Sequence, residues 1–126
     1  MFFSAGINIK DIDYISAHAT STLLGDKAET EAIKLAFGKK ATEIPVSSVK
    51  SMTGHMLSAS GAFEAAITLM SMKEGVIIPT LNLKEKDTEC NLNYVTEFKK
   101  AEIKTAVSNS FGFGGVNAVL VFRRVD

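Results

Sequence analysis

The sequence predicts an α/β layered domain built on a mixed sheet. Three observations carry that reading. Short segments rich in β-formers alternate with two longer helical patterns, in the order strand, helix, strand, helix, then strands. Crossovers in such an order place the loops after the strands on one edge of the sheet. Finally, 103–108 and 116–125 are apolar runs separated by the glycine-rich FGFGG, which reads as a hairpin-like return.

Each element has its own local reason. Residues 13–17, with Tyr14 and Ile15, read as a short strand ending just before His18. Polar HATST follows, and a helix is signalled from Asp26: the aspartate suits the N-cap, Glu29 three residues on completes a capping box, and Gly38 suits the C-cap. Ala28, Ala32, Leu35 and Ala36 fall at i, i+4, i+7 and i+8, the spacing of one buried face, with Lys27, Thr30, Glu31 and Lys34 mostly outside. Residues 44–49 read as a strand in which Pro45 belongs at the first residue or on an edge. The next helix, about 58–73, is apolar nearly all round, the pattern of a helix buried on most sides, and Gly75 closes it. Residues 76–79 read as a third short strand, and 81–100 as a polar, irregular connection with a short pairing around 92–95.

Length and composition fit one soluble globular domain over 1–126, large enough for one core. The 14 basic and 14 acidic residues balance, with no long block of one sign, so no general electrostatic reason points to nucleic acid or to an acidic membrane. The most apolar stretch, 59–72, contains Glu64 and is too short to span a bilayer. A single cysteine cannot form an internal disulfide, and no cluster has zinc-ligand spacing, so no metal site and a reducing, cytoplasmic setting are expected. A plastid or mitochondrial origin stays open. The start, MFFSAGI, resembles the tail of an apolar helix and leaves Phe2, Phe3 and Ile7 in need of cover.

Two imidazoles, His18 and His55, fall at the ends of successive strands on the same sheet edge, where open α/β sheets bind ligands. Imidazole transfers protons near neutral pH and, when neutral, donates a hydrogen bond to a carbonyl gaining negative charge. The residues alone leave open two unrelated loop histidines. Glu64 in an apolar helix needs a partner, and Lys50 is the cation inferred to pair with it; a snorkelling lysine beside an unrelated glutamate is the alternative. FGFGG is followed by a strand rather than a helix, which argues against a phosphate loop and leaves a ligand-hugging loop walled by Phe113, or a plain hairpin turn. Cys90 sits in a polar loop with nothing nearby to activate it, and is read as structural or incidental.

Together, HATST, GD with Glu29 three on, VKSMTGH, SGAFE and NSFGFGGVN, in this order and spacing over about 11–122, resemble the β-ketoacyl-acyl-carrier-protein synthases of the I/II type, most closely the synthase II branch. Ketosynthase modules of polyketide synthases share these motifs. The resemblance implies the C-terminal half of a thiolase-like fold, with a mixed five-stranded sheet and covering helices. The nucleophilic cysteine of this family belongs to the N-terminal half, so the chain alone is expected to be inactive. His18 and His55 match the histidine pair that binds the malonyl thioester and promotes loss of carbon dioxide. Lys50 matches the active-site lysine, Glu64 its acidic partner and Phe113 the gating phenylalanine. Thr20 and Thr22 match the threonines that hydrogen-bond phosphopantetheine, while Asp26, Glu29 and Asn117 match supporting positions. The implied partners are acyl-carrier protein, the N-terminal half and, for the full-length enzyme, a second copy in a homodimer. No cofactor bound by the chain itself is implied. Non-catalytic self-association of a truncated domain is the competing reading. Where the family has HGTST, Ala19 replaces glycine and Leu23 and Leu24 replace proline and a small residue; the added methyl costs little if the Ala19 φ is negative and more if it is positive.

Overall fold

Strand β1 (Tyr14–Ser16) is buried along its whole length, as a central parallel strand must be when both faces of the sheet are covered. The computed structural model describes residues 6–125. After β1 come helix α1 (Leu23–Phe37), β2 (Pro45–Ser47), the one-turn helix α2 (Lys50–Thr53), helix α3 (Ser60–Glu74), β3 (Val76–Ile77), β4 (Asn93–Tyr94), β5 (Lys99–Lys100), β6 (Thr105–Phe111) and β7 (Asn117–Arg123). The main sheet has five strands in the order β4-β2-β1-β6-β7. Its first four strands run parallel and β7 returns antiparallel to β6, so the mixed five-stranded sheet expected from the sequence is present. Strands β3 and β5 form a separate antiparallel pair.

The two-residue alternation sorts the core onto the two faces. Ile15 lies level with Val46 and Val107, and these three pack with Ile33 and Phe37 of α1. Tyr14 and Ala106, one position back, face the other way and pack with Met72 of α3. Ile7 packs against the first cluster; Phe2 and Phe3 lie outside the described residues. Pro45 takes the first position of β2, where its missing N–H does least harm, although β2 is an interior strand and not an edge.

Both helices depart from the sequence reading. Helix α1 begins after Thr22, three residues before Asp26, which instead accepts a hydrogen bond from the Ser21 N–H within the first turn. Gly38 does close it, its N–H bonding Lys34 O. The buried face is Glu29, Thr30, Ile33 and Phe37, whereas Ala28, Ala32, Leu35 and Ala36 are exposed. Turning Ile33 and Phe37 inward buries more apolar area than a row of alanines, at roughly 1.5–3 kcal/mol for each large side chain. Glu29 can follow them because its carboxylate finds three N–H partners, so it forms no capping box.

Helix α3 is turned polar side in. Ser60, Glu64, Thr68 and Ser71 are buried with Met72, while Phe63, Leu69 and Met70 are exposed at 37%, 49% and 57%. The described residues cover one side of it and not most sides, as its composition suggested. Gly61 lets the helix approach β6 closely, since a Cβ there would lie 3.2 Å from Ser110 Oγ. No helix among the described residues is long and apolar enough to cross a membrane.

Candidate active site

The parallel strands end on one edge, and that edge collects the two histidines. His18 follows β1 by two residues; His55 follows α2, the turn that continues from β2. Gly54, at φ 70°, makes the left-handed step that ends α2 and sets His55 down beside its partner. The imidazole centroids are 5.6 Å apart with the rings nearly perpendicular, and the Phe111 ring, at the end of β6, lies 5.7 Å from that of His18, tilted by 56°. The two histidines are therefore neighbours in one site.

Their surroundings differ. His55 is exposed, and its Nδ1 is 3.0 Å from Ser60 Oγ, the buried first residue of α3. When that hydroxyl donates to Nδ1, the ring carries its proton on Nε2, the tautomer that can donate to a ligand. His18 is half-buried; burial, then the Lys50 ammonium and His55, hold its pKa below the ordinary 6.5, with Asp26 pulling weakly the other way. A neutral imidazole follows near pH 7.

Lys50 and Glu64 make the ion pair inferred from burial, with side chains 6% and 2% exposed. Burial holds the Glu64 carboxyl above its ordinary range, and the Lys50 contact offsets only part of that rise. Glu64 Oε2 has no hydrogen-bond partner among the described residues. Lys50 thus lies within electrostatic reach of His18 while its own charge is compensated from α3.

A cavity of about 750 Å³ opens beside His55, with Thr20, Thr22, Lys50, Tyr94 and Cys90 also among its walls; on the His18 side it is lined by the flanking Ala17 and Ala19. The Thr20 and Thr22 hydroxyls are 3.3 Å apart at its rim. Leu81 N–H donates to Ser51 Oγ and Ser48 N–H to Thr80 Oγ1, pinning the start of the polar 81–92 connection along this cavity. Phe113 stands apart: its ring is fully exposed and lines no part of the cavity. Of the residues singled out in the sequence, His18, His55, Lys50 and Glu64 come together, Thr20 and Thr22 flank them, and Phe113 does not close over them here. Phe111, Ser60 and Asn109 were missed. The polar run Ser108, Asn109, Ser110 inside a β-pattern was the available signal, because buried polar groups in a strand need partners.

Residues 1–84 match the family model for the β-ketoacyl synthase, C-terminal domain. The chain belongs to the β-ketoacyl synthase family. The 3-oxoacyl-[acyl-carrier-protein] synthase 2 of Staphylococcus aureus (strain COL) is 48% identical over 123 residues, which are 97% of this chain and 30% of that protein. The synthase 2 of Coxiella burnetii is 48% identical over 122 residues, again 30% of its length. Among solved structures, a β-ketoacyl synthase from Burkholderia phymatum superposes with a TM-score of 0.92 at 43% identity, over 99% of this chain and 30% of that one. A type II polyketide ketosynthase, solved with its acyl-carrier protein and bound to a hexaketide, gives a TM-score of 0.97 at 39% identity over 99% of this chain and 31% of its own. The chain thus has the C-terminal fold of the synthases and spans about 30% of the length of these relatives.

Proposed function

We propose that this chain is the decarboxylating C-terminal portion of a 3-oxoacyl-acyl-carrier-protein synthase of fatty-acid synthesis. The observation that carries the reading is the perpendicular His18–His55 pair at the carboxyl edge of the sheet, with His55 oriented through Ser60 and His18 held neutral. Two imidazole N–H groups converging on one thioester oxygen stabilise the enolate that forms when the bond from a malonyl carbon to its carboxylate breaks and carbon dioxide leaves. The electrons of that bond become the enolate. Its carbon then attacks an acyl thioester, forming the new carbon–carbon bond and expelling the thiolate that held the acyl group.

That thiolate is assigned to a cysteine of the N-terminal portion, the part of the relatives this chain does not span. Cys90, on a polar loop, is not a candidate. The phosphopantetheine of acyl-carrier protein is the substrate arm, placed along the cavity past Thr20 and Thr22. Burial, helped by the Lys50 ammonium that Glu64 compensates, keeps His18 unprotonated, and Phe113 acts as a gate once the rest of the enzyme is present. The assembled enzyme is proposed to be a cytoplasmic homodimer. By this reading the chain alone does not condense acyl groups.

The test is carbon dioxide release from malonyl-acyl-carrier protein by the chain combined with a synthase N-terminal portion. His18→Ala or His55→Ala should abolish release; full release by either variant would overturn the assignment. The polyketide relative favours a second substrate class, a growing polyketide in place of a saturated acyl chain, which product analysis of the same mixture separates.

A further inference from the structure

The two histidines are oriented by different means. Ser60 holds the His55 ring through Nδ1, but His18 Nδ1 is buried with no hydrogen-bond partner among the described residues. Among the described residues, nothing at that nitrogen fixes the His18 ring. Its direction must come from the backbone that carries it and from the rings it touches.

That backbone is gripped by one carboxylate. The His18 N–H donates to Glu29 Oε1 at 2.9 Å and the adjacent Ala19 N–H to Glu29 Oε2 at 2.8 Å. Asn109 Nδ2 donates to Glu29 Oε1 at 3.0 Å, tying the grip to β6. Glu29 is 5% and Asn109 6% exposed, so neither is a casual surface contact. Ala19 stands at φ 30°, a conformation an L-residue avoids, and its N–H is one of the two held. On the same strand, two residues beyond Asn109 and on the same face, Phe111 meets the His18 ring.

We infer that Glu29, anchored by Asn109, is the positioning residue that aims His18 at His55. The inference rests on the functional reading above for its catalytic consequence, and on geometry alone for the positioning itself. The chemistry required is specific. Three N–H donors converge on one acceptor, and an ionised carboxylate, which only accepts, satisfies them all. A glutamine at 29 turns its NH₂ toward at least one of those donors.

Two measurements test this. In ¹⁵N-labelled chain, the His18 and Ala19 amide protons should both carry the downfield shift of N–H groups bonded to a carboxylate, and a nuclear Overhauser effect should link the two imidazoles. In Glu29→Gln both amides should lose the carboxylate-bonded shift and the His18–His55 contact should vanish, with resonances remote from the site unchanged. In the chain combined with its N-terminal portion, Glu29→Gln should lower kcat for carbon dioxide release on the order of tenfold to a hundredfold, the scale of a misplaced catalytic group, and leave KM within about twofold. Asn109→Ala, which keeps the carboxylate, should show the same pattern more weakly and serves if Glu29→Gln does not fold. Retention of the imidazole contact in the variants overturns the positioning. If the wild-type mixture releases no carbon dioxide, the functional reading fails, and the amide and imidazole signals still decide the positioning.

Discussion

Replacing Ala19 by glycine should stabilise the protein. Ala19 sits at φ 30°, and its N–H bond to Glu29 Oε2, beside that of His18, prevents it from relaxing to negative φ. A residue with a Cβ in the left-handed region is disfavoured by about 1–2 kcal/mol. Glycine removes that strain but gives the unfolded chain more freedom, which costs about 0.4–1 kcal/mol. Taking the middle of each range, the difference is a net gain of about 0.8 kcal/mol. With a urea slope of about 1.5 kcal/mol/M, the unfolding midpoint should rise by roughly 0.5 M. The control is Ala28→Gly, the same chemical change at an exposed position inside α1, which should lower stability by about 1 kcal/mol. Equilibrium urea unfolding followed by circular dichroism reads both. If Ala19→Gly lowers the midpoint as Ala28→Gly does, the strain argument is wrong.

Other outcomes follow from the buried charges and the exposed helix face. Lys50→Met should destabilise by about 3–5 kcal/mol because it strands a buried carboxylate, while Lys50→Met with Glu64→Leu should recover most of the loss. Denaturant unfolding of both single variants and the double reads the coupling, and additive losses would refute the pairing. His18 should titrate below 6.5, followed by its imidazole ¹H–¹³C resonance, and Lys50→Met should raise that midpoint. Since the folded His18 takes a proton less readily than the unfolded, its contribution is intact above about pH 6.5 and declines as pH falls from there toward the folded pKa. The slope of stability against pH in that window should therefore flatten in His18→Gln. Phe63→Ser with Leu69→Ser and Met70→Ser should cost little stability in the isolated chain, where these side chains are 37%, 49% and 57% exposed, and should reduce any self-association measured by sedimentation. A large loss of stability would mean the face is covered within the chain.

How much of this was legible in the sequence depended on whether a residue's neighbours were local. The strands other than β5, the hairpin after β6 and the placing of His18 and His55 on one sheet edge followed from period, turn residues and crossover order. The Lys50–Glu64 pair was legible because a carboxylate in an apolar helix demands a counter-charge. Glu29 was misread because its spacing from Asp26 imitates a capping box, whereas its partners are at 18, 19 and 109. The face of α1 was misassigned for a related reason: alanines score as apolar, but Ile33 and Phe37 carry more area to bury. Phe113 matched the gating position by motif, and its full exposure reflects a ring with nothing among the described residues to close against.

Helix α3, with its hydroxyls and carboxylate inward and its large apolar side chains outward, makes stability a relational quantity for this chain. Any species that binds the folded form through that face adds RT ln(1 + [L]/Kd) to its apparent stability, about 2.7 kcal/mol at a hundredfold excess over Kd. A melting temperature recorded on the chain alone is then the dilute limit of a titration curve. The same substitution in α3 should rank differently at the two ends of that curve, mild when the helix faces water and severe when it faces a partner.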